Sequence, residues 1–311
     1  MIKQILSCDW GTTAFRLRLV NRLDGKVVAE TTEGKGIAAV YNEWLQTGLP
    51  EIERANFYKS ILKIQVDEIT KDFSEKLPLI ISGMASSTIG IQEIPYIEIP
   101  LAIAAENLQV VKIDADDNFK HDIHLVSGLK TNKDVLRGEE TILLGCEMDE
   151  GEALIIFPGT HSKHVIIKNK CCVDFKTYMS GEVFDLLANK SILSKSVIKN
   201  KSDQYNHIFE MGVKQAAAGN LLNNAFHVRT NQLFNKLTAA ENYHYLSGLV
   251  IGTELKDIAA GNKTIRLVCS RDLAEPYLMA LKILAANSEI KYSNADEALI
   301  NGHCRLAALL L

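Results

Sequence analysis

Apolar and polar residues alternate along the first thirty residues of the chain. The apolar run "IKQILSCD" is followed by "FRLRLVNR", in which apolar and basic residues alternate at period two, and then by "KVVAETT". Such alternation is typical of half-buried strands, and the Asp24-Gly25 pair between the last two runs is typical of a hairpin turn. We therefore predict that the chain opens with an antiparallel three-stranded meander.

The same pattern returns near the middle of the chain. The segment "EALIIFPGTHSKHVIIKNKCCVDFKTY" contains three apolar runs, separated by a Pro-Gly-Thr turn and by a turn that contains asparagine. The two segments share almost no sequence identity, so they are alike in pattern only. From this repeat we predict two similar halves of one molecule with a cleft between them.

The segments after each meander carry apolar residues mostly at helical spacing. We predict helices in "YKSILKIQVDEITKDF", "DVLRGEETILLGCEM", "SGEVFDLLANKS", "HIFEMGVKQAAAGNLLNNAFHVRTNQLF" (one or two), "NYHYLSGLVIGTELKDIAA", "DLAEPYLMALKILAANS" and "ADEALINGHCRLAALLL". We predict further strands in "LPLIISGM", "NFKHDIHLVSGL" and "TIRLVCS". Strands and helices that alternate in this way indicate an α/β protein.

Composition indicates the number of domains and argues against nucleic acid and membranes as partners of this protein. The chain has 311 residues, of which 47% are hydrophobic and 23% charged, and this balance is typical of one large or two ordinary globular domains. The formal net charge is -4 and no arginine-rich patch is visible, so nucleic acid is not expected as a partner. No apolar run reaches the roughly 18 residues of a membrane span, and the N-terminus lacks the apolar core of a signal peptide. We expect no membrane contact and a cytoplasmic protein.

Six cysteines and several histidines were weighed as candidate ligands. None of the cysteines forms a C-x-x-C pair, so we interpret them as reduced, mostly buried thiols. We expect His121 and His124 at the surface beside a strand, and His303 and Cys304 in the packing of the last helix. His161 has no further ligands at close spacing, so a zinc site is not expected there.

A carboxylate and a hydroxyl-rich turn stand between the first two predicted strands. Asp9 ends the first apolar run, and Gly11, Thr12 and Thr13 follow it. A turn rich in glycine, hydroxyls and backbone N–H groups can wrap around phosphate oxygens. The carboxylate would repel phosphate, but it can hold a magnesium ion that neutralises the phosphate charge. The alternative interpretation is an ordinary turn with an N-capping aspartate.

The turn of the second meander offers a matching set of donors. It contains Gly159, Thr160, His161 and Lys163. Two such turns that face each other could grip a triphosphate from both sides, which favours the phosphate interpretation of the first turn as well.

The sequence "RGEET" places Arg137, Glu139 and Glu140 at the start of a predicted helix. Acidic residues in a first helical turn are favoured by the helix dipole, which is a sufficient structural reason for them. Phosphoryl transfer to a sugar hydroxyl, however, also needs a carboxylate that orients the hydroxyl and accepts its proton. Both interpretations stay open at this point.

Six blocks of the sequence together resemble the 2-dehydro-3-deoxygalactonokinases, a family in the superfamily of sugar kinases, heat-shock ATPases and actin. They are "CDWGTTAFRLRL", "SGMASSTIGIQEIPYIEIP", "RGEETILLG", "PGTHSKHV", "DFKTYMSGEVFDLL" and "YLSGLVIGTEL", and they follow the family's order. The resemblance implies two actin-like (ribonuclease H-like) domains around a nucleotide-binding cleft. It places the first domain at residues 1–145, closed by a C-terminal helix at 296–311, and the second at 146–295.

The resemblance also implies an activity. It is the ATP-dependent phosphorylation of the terminal 6-hydroxyl of 2-dehydro-3-deoxy-D-galactonate, with ATP and Mg2+ as cofactors and a small sugar acid as substrate. The first phosphate turn would be Gly11, Thr12 and Thr13 with Asp9 at the metal, and the second Gly159, Thr160 and His161. By position, Glu139 is the candidate base, and Glu140 is the alternative.

The substrate carboxylate needs a cation, and arginine is suited to a bidentate grip. Arg137 and Lys163 are the candidates, and Lys163 could instead stabilise the phosphoryl group in transfer. Substrate contacts are also expected from the loop after a strand end, at Ser82, Met84, Ser86 and Ser87. The segment "VCSRDLAEPY" lacks the glycine that related kinases carry beside the adenosine, so the adenine contacts stay open.

Two rival functions remain at this stage. One is a related sugar or amino-sugar kinase of the same fold, and the other is a non-catalytic sensor that binds nucleotide or sugar acid. The sequence does not fix the sugar epimer or the oligomeric state, and a homodimer is left open.

Overall fold

The computed structural model describes residues 2–71, 75–148, 150–200, 202–258 and 264–311. The chain forms two compact units. Unit 1 comprises Met1–Glu150, Lys170–Asp174 and Ala295–Leu311, and unit 2 comprises Gly151–Asn169 and Phe175–Asn294.

Within the described ranges the structure has fifteen strands and nine α-helices. The strands β1 to β15 are Gln4–Trp10, Phe15–Asn21, Val27–Thr31, Leu79–Gly83, Ile97–Glu98, Leu101–Ala102, Val110–Ile113, Ile123–Val126, Leu129–Lys130, Val135–Leu136, Glu152–Phe157, Ser162–Lys168, Cys171–Tyr178, Thr264–Cys269 and Glu289–Asn294. The helices α1 to α9 are Ile37–Thr47, Arg54–Ile69, Glu139–Gly145, Ser180–Asp185, Asn206–Ala218, Leu221–Leu233, Ala239–Leu255, Arg271–Leu284 and Ala295–Leu310.

The main sheet of unit 1 has the strand order β3-β2-β1-β4-β8-β7. Strands β1, β2 and β3 are antiparallel neighbours, and β1, β4 and β8 run parallel to one another. The predicted opening meander is therefore confirmed. Short strands β10, β9 and β5 form a separate small sheet, and β6 pairs with Cys171 and Cys172 at the start of β13.

The alternation of β1 decides what each face of this sheet meets. Leu6, Cys8 and Trp10 point into a core that also contains side chains of α1 and α2. Because successive strand residues point to opposite faces, Ser7 and Asp9 lie on the other face, where α9 packs. The polar residues of this strand are thus directed to the side of the sheet that carries the C-terminal helix.

Four strands of unit 2, together with β13, whose second half belongs to unit 2, repeat the order of unit 1. They are arranged β15-β14-β11-β12-β13, with β11 antiparallel to β12 and parallel to β14, and with β14 parallel to β15. Side chains of β11, β14, α5, α7 and α8 build its core. The second meander and the α/β fold of two units with the same strand order are confirmed.

The structure corrects several sequence predictions. His121 and His124 are only 2% and 4% exposed, so the expectation of surface histidines was wrong. His124 lies on β8 between β4 and β7, and the Nδ1 of His121 contacts the backbone of Leu77. Burial lowers the pKa of both rings. Both rings are buried by residues that are distant in the sequence or belong to neighbouring strands, which the local pattern does not reveal.

Some elements were missed or misplaced. The sequence did not predict α1, β7 or β15, and the helix expected from residue 134 starts only at Glu139. Gly138 has φ 108°, a backbone conformation that a helix cannot include, and it separates β10 from α3. The ends of two predicted helices, at 72–73 and 259–260, lie outside the described residues.

The cysteine prediction is confirmed. All six cysteines are free, four of them are buried, and Cys171 and Cys304 are partly exposed. None of the helices in the described ranges is long and apolar enough to cross a membrane.

Candidate functional site

The first candidate turn has a fixed backbone and exposed side chains. The N–H of Gly11 donates to the carbonyl of Ala14 at 2.9 Å, and the carbonyls of Gly11 and Thr12 accept from the first N–H groups of α1. Thr12 and Thr13 are exposed. The turn therefore presents its hydroxyls outward from a backbone that α1 holds in place.

Asp9 stands immediately before this turn, at the carboxyl end of β1. Arg16 is its direct cross-strand partner, and Arg16 Nη1 lies 3.4 Å from Asp9 Oδ2 and 3.9 Å from Asp296 Oδ1 of α9. About a third of the Asp9 side chain is exposed (32%). Burial raises the pKa of Asp9, while the charges of Arg16 and Arg18 oppose this shift.

Asp9 fits a magnesium ion that is held mainly by phosphates and water. In the ranges that the structure describes, no group of three or more His, Cys, Asp or Glu side chains could hold a metal. Mg2+ is typically bound through one or two carboxylates together with substrate phosphates and several waters. A single, partly exposed carboxylate beside a hydroxyl-rich turn agrees with that mode.

The two glutamates at the start of α3 have different environments. Glu139 is partly exposed and its Oε2 accepts the backbone N–H of Arg137 at 3.0 Å. Glu140 is fully buried and its Oε2 accepts the backbone N–H of Gly138 at 2.7 Å. Burial, reinforced by the charge of Glu139, raises the pKa of Glu140 to about 8. Only Glu139 is open to a substrate in this arrangement.

The start of α3 meets the carboxyl end of β4. A Cβ atom added to Gly138 would lie 3.4 Å from the Cα of Gly83, the last residue of β4. Asp9 pairs with Ser82 in the register of β1 and β4. Ligands of open α/β sheets bind at the carboxyl ends of parallel strands. Unit 1 therefore brings Asp9, the β4 end and Glu139 to one edge of its sheet.

Arg137 is engaged by the loop that follows β4. Its Nη1 donates to the carbonyl and the hydroxyl of Ser86 at 2.5 and 2.6 Å, and its Nη2 donates to the carbonyl of Ile94 at 3.3 Å. Its guanidinium also lies over the ring of Tyr96, 4.1 Å from the centroid. Arg137, one of the two candidate cations for the substrate carboxylate, thus holds both ends of this loop.

Of the residues predicted to contact the substrate, Ser82 lies in β4 itself, and Met84, Ser86 and Ser87 lie in the loop that follows it. Met84 is partly exposed, whereas Ser82, Ser86 and Ser87 are buried. The hydroxyl of Ser86 donates to the carbonyl of Val126 at 2.6 Å.

Ser82 belongs to a buried polar cluster that sequence reasoning missed. Its Oγ lies 2.9 Å from Nε2 of His303 and 2.7 Å from Oγ1 of Thr141, and Ser7 Oγ lies 2.7 Å from Nδ1 of His303. Burial and the charge of Arg18 lower the pKa of His303 to about 3, so its ring is neutral. The available signal was that His303 falls on the apolar stripe of α9, where a polar side chain needs a buried partner.

The second candidate turn lies in unit 2. Gly159 and Thr160 are partly or fully exposed, and the carbonyl of Thr160 accepts the N–H of Glu182 at 3.1 Å. His161 Nε2 lies 2.6 Å from Oε2 of the same glutamate. Lys163 is buried, 8% exposed, and its Nζ donates to Thr177 Oγ1 at 3.0 Å.

A cavity of about 180 Å3 opens beside this turn. Its walls are mostly apolar and aromatic, and they consist of Gly159, Ser180, Gly181, Phe184, Tyr243, Ser247, Val250, Ile251, Leu273 and Tyr277. Two of these, Leu273 and Tyr277, come from the segment that lacks the expected glycine. The sequence did not predict that this segment would line a cavity.

Behind the cavity, Tyr277 is fixed by buried partners. Its hydroxyl donates to Glu254 Oε2 at 2.7 Å and lies 3.1 Å from Ser162 Oγ, which accepts the N–H of Gly159 at 3.3 Å. His164 Nε2 lies 2.9 Å from the other oxygen of Glu254. The phosphate turn and the cavity wall of unit 2 thus share one hydrogen-bonded support.

Comparison with known proteins gives the same assignment by three routes. A protein of Rhizobium meliloti (strain 1021) assigned as a 2-dehydro-3-deoxygalactonokinase is 34% identical over 311 residues, which is 94% of this chain and 93% of that protein. The 2-dehydro-3-deoxygalactonokinase of Escherichia coli (strain K12) is 30% identical over 230 residues, 71% of this chain and 76% of that protein.

A crystal structure of a protein from Sinorhizobium meliloti with the same assignment superposes with a TM-score of 0.80 at 30% identity, covering 98% of this chain and 96% of that one. The family model of the 2-keto-3-deoxy-galactonokinases matches residues 9–306. This chain, with its carboxylates and hydroxyl-rich turns on a repeated α/β frame, therefore belongs to the 2-keto-3-deoxy-galactonokinase family of sugar kinases.

Proposed function

We propose that the protein transfers the γ-phosphoryl group of ATP to the terminal 6-hydroxyl of a 2-keto-3-deoxy sugar acid, with 2-dehydro-3-deoxy-D-galactonate as the first candidate. One observation carries the proposal beyond family membership. Within unit 1 the partly exposed carboxylate of Glu139 stands at the same sheet edge as Asp9 and the β4 loop.

Glu139 is the proposed base. The O–H bond of the sugar hydroxyl breaks and its proton passes to the Glu139 carboxylate, while the hydroxyl oxygen forms a bond to the γ-phosphorus. The bond between that phosphorus and the bridging oxygen breaks, and its electron pair leaves with ADP. Glu140 is not proposed as the base, because it is fully buried.

Asp9 is the proposed anchor for magnesium. A bound magnesium ion would neutralise charge on the phosphates during transfer. Arg16 holds the carboxylate at 3.4 Å and also faces Asp296, so it can keep Asp9 oriented before the ion binds.

Each of the two turns is a proposed phosphate-binding element. Gly11, Thr12 and Thr13 are the proposed donors to the phosphates in unit 1, and Gly159, Thr160 and His161 those in unit 2. The cavity beside Gly159 is the proposed site of the adenine ring, because flat aromatic ligands favour apolar and aromatic walls with a few polar groups. Lys163 is buried and donates a hydrogen bond to Thr177, so we propose that it stabilises the turn at 159–161 from the protein interior.

The sugar acid would be bound by the loop after β4. Met84 is the partly exposed member of that loop, and Arg137 fixes the loop through Ser86 and Ile94. We propose that Arg137 serves the sugar acid by shaping this loop as well as by its charge. Ser82 and Ser86 then support the loop from the interior.

A coupled assay of ADP release tests the function. A panel of 2-keto-3-deoxy sugar acids is compared with N-acetylhexosamines, with Glu139→Gln as the inactive reference. We expect turnover with the six-carbon 2-keto-3-deoxy acids and none with the amino sugars. Turnover with amino sugars alone, or ADP release that does not depend on an acceptor, would contradict the proposal.

A further inference from the structure

A chain of buried hydrogen bonds connects four elements of unit 1. It runs from Glu140 Oε1 to Thr141 Oγ1 (3.1 Å), to Ser82 Oγ (2.7 Å), to His303 Nε2 (2.9 Å), and from His303 Nδ1 to Ser7 Oγ (2.7 Å). All five residues are fully buried, at 0% exposure. The elements are α3, β4, α9 and β1, and none of these five side chains is assigned a contact with substrate in the reaction above.

The chain has a protonation state in which every one of its hydrogen bonds has one donor and one acceptor. A neutral imidazole has one donor and one acceptor nitrogen. If Glu140 carries a proton, it donates to Thr141, Thr141 donates to Ser82, Ser82 donates to Nε2 of His303, and Nδ1–H of His303 donates to Ser7. The raised pKa of Glu140 and the lowered pKa of His303 agree with this state.

The same chain ends at the turn that carries Glu139. The second oxygen of Glu140 accepts the N–H of Gly138 at 2.7 Å, and Gly138 has the positive φ that only glycine adopts readily. Glu139 lies between these two residues and reaches back to the N–H of Arg137. The orientation of the Glu140 side chain therefore fixes the backbone on both sides of the partly exposed carboxylate.

The C-terminal helix α9 packs closely against α3 at Gly302. At Gly302 the backbone of α9 lies directly against the carbonyl of Thr141, and any side chain at that position would collide with it. This close approach brings His303, the next residue, between Ser7 and Ser82. A helix one side chain farther away would remove the His303 contact of both hydroxyls and would leave Ser82 with Thr141 as its partner.

We propose that Glu140 and His303 are positioning residues for phosphoryl transfer: through Thr141 and Ser82 they hold the Gly138 turn so that Glu139 faces the sugar hydroxyl. The proposal rests on the proposed function, in which Glu139 is the base. A purely structural network would stabilise the fold without any specific effect on kcat.

The groups that face Glu140 define its pH response. The charged neighbour on its own helix is Glu139. On α9, His303 is neutral and Arg305 binds the carbonyl of Leu144 at the other end of α3. The adjacent strand β4 contributes hydroxyl and apolar side chains only. Loss of the proton from Glu140 would therefore put a second negative charge beside the base and reverse the donor direction at Thr141.

The decisive variant is Thr141→Val, which keeps the side-chain shape and cuts the chain between Glu140 and Ser82. Thr70→Val is the matched control, because Thr70 is also buried in unit 1 and its hydroxyl donates to the carbonyl of Val66 in α2. We expect Thr141→Val to lower kcat by about 10²-fold with the KM for ATP unchanged, since small misplacements of a reacting group can cost that much. Thr141→Ser should restore most of kcat, and Thr70→Val should lower the thermal midpoint without that loss.

A second variant covers the case in which Thr141→Val does not fold. Glu140→Gln retains both the donor and the acceptor of the protonated acid, and we expect it to keep kcat and to lose the decline of kcat that the wild type shows as pH rises through about 8. Equal kcat in Thr141→Val and Thr70→Val, or an unchanged pH profile in Glu140→Gln, would overturn the positioning role. An active Glu139→Gln enzyme would instead overturn the proposed base, so the two failures are distinguishable.

Discussion

The Oγ of Ser82 lies 2.9 Å from Nε2 of His303, although 221 positions separate the two residues in the chain. The contact joins the carboxyl end of β4 to the C-terminal helix, directly behind the turn that carries Glu139. It ties the last segment of the chain to the sheet edge where we propose that phosphoryl transfer takes place.

Replacement of the proposed base should separate the two glutamates. We expect Glu139→Gln to lower kcat by about 10²–10⁴ with little change in either KM, because the lost proton transfer is made mainly in the transition state. Steady-state kinetics with both substrates measure this. Glu140→Gln is the comparison, and the assignment is off by one residue if Glu140→Gln is the inactive variant and Glu139→Gln the active one.

Replacement of the proposed metal anchor should affect turnover without affecting the fold. We expect Asp9→Asn to lower turnover by about 10² or more, because the magnesium ion loses its anionic ligand and less charge is neutralised in the transition state. Turnover is measured across a magnesium titration, and circular dichroism reports the fold. Near-normal turnover at saturating magnesium would exclude Asp9 as the anchor.

Removal of the arginine that shapes the β4 loop should act on the sugar acid. We expect Arg137→Ala to raise the KM for the acid more than the KM for ATP, by an amount that corresponds to about 1.5–3 kcal/mol for lost charge-assisted hydrogen bonds. Arg22→Ala, at an arginine that binds the backbone of Ile2, is the control and should change neither value. A selective loss of ATP affinity would move Arg137 to the nucleotide side.

Filling the unit 2 cavity should act on the nucleotide. Ser247 of α7 lines the cavity, so the larger side chain of Ser247→Phe should exclude the adenine ring. We expect the KM for ATP to rise at least about tenfold, which corresponds to a loss of about 1.4 kcal/mol of binding free energy. The KM for the sugar acid should stay unchanged. Leu222→Phe, at a side chain that is 86% exposed, is the control. An unaltered KM for ATP in Ser247→Phe would place the adenine elsewhere.

Glu140 and His303 give opposite pH dependences of stability. The pKa of Glu140 is raised from 4.5 to about 8, so the folded state binds a proton that the unfolded state has released, and the free energy of unfolding falls as pH rises through this range. The pKa of His303 is lowered from 6.5 to about 3, so its contribution rises with pH between these values. The two effects oppose each other between pH 4.5 and 6.5.

Between about pH 6.5 and 8 only the Glu140 effect remains, and the free energy of unfolding should fall there by about 1.4 kcal/mol per pH unit. Urea unfolding at several pH values measures the slope. Glu140→Gln removes the titrating group, so its stability should be flat in this window. A wild-type slope that persists in Glu140→Gln would show that another group titrates.

The local pattern of the sequence determined the two strand meanders and most of the helices. Period-two alternation beside Asp24-Gly25, and apolar runs on both sides of Pro158-Gly159, were sufficient to predict the two meanders, because strand hairpins depend on neighbouring residues. The short motifs gave the family, which the comparisons confirmed, and placed Glu139 and Glu140 at a helix start.

Tertiary structure decided what each of these residues can do. Glu139 and Glu140 are adjacent in sequence, yet one is partly exposed and the other is fully buried in the part of α3 that packs against α9 and β4. His303 was interpreted as packing, and its two partners, Ser7 and Ser82, come from distant strands. The burial, the hydrogen-bond partners and the pKa of a side chain depend on which atoms lie close to it, and the whole fold decides this. Hydrophobic periodicity, in contrast, is a property of consecutive residues and can be read from the sequence.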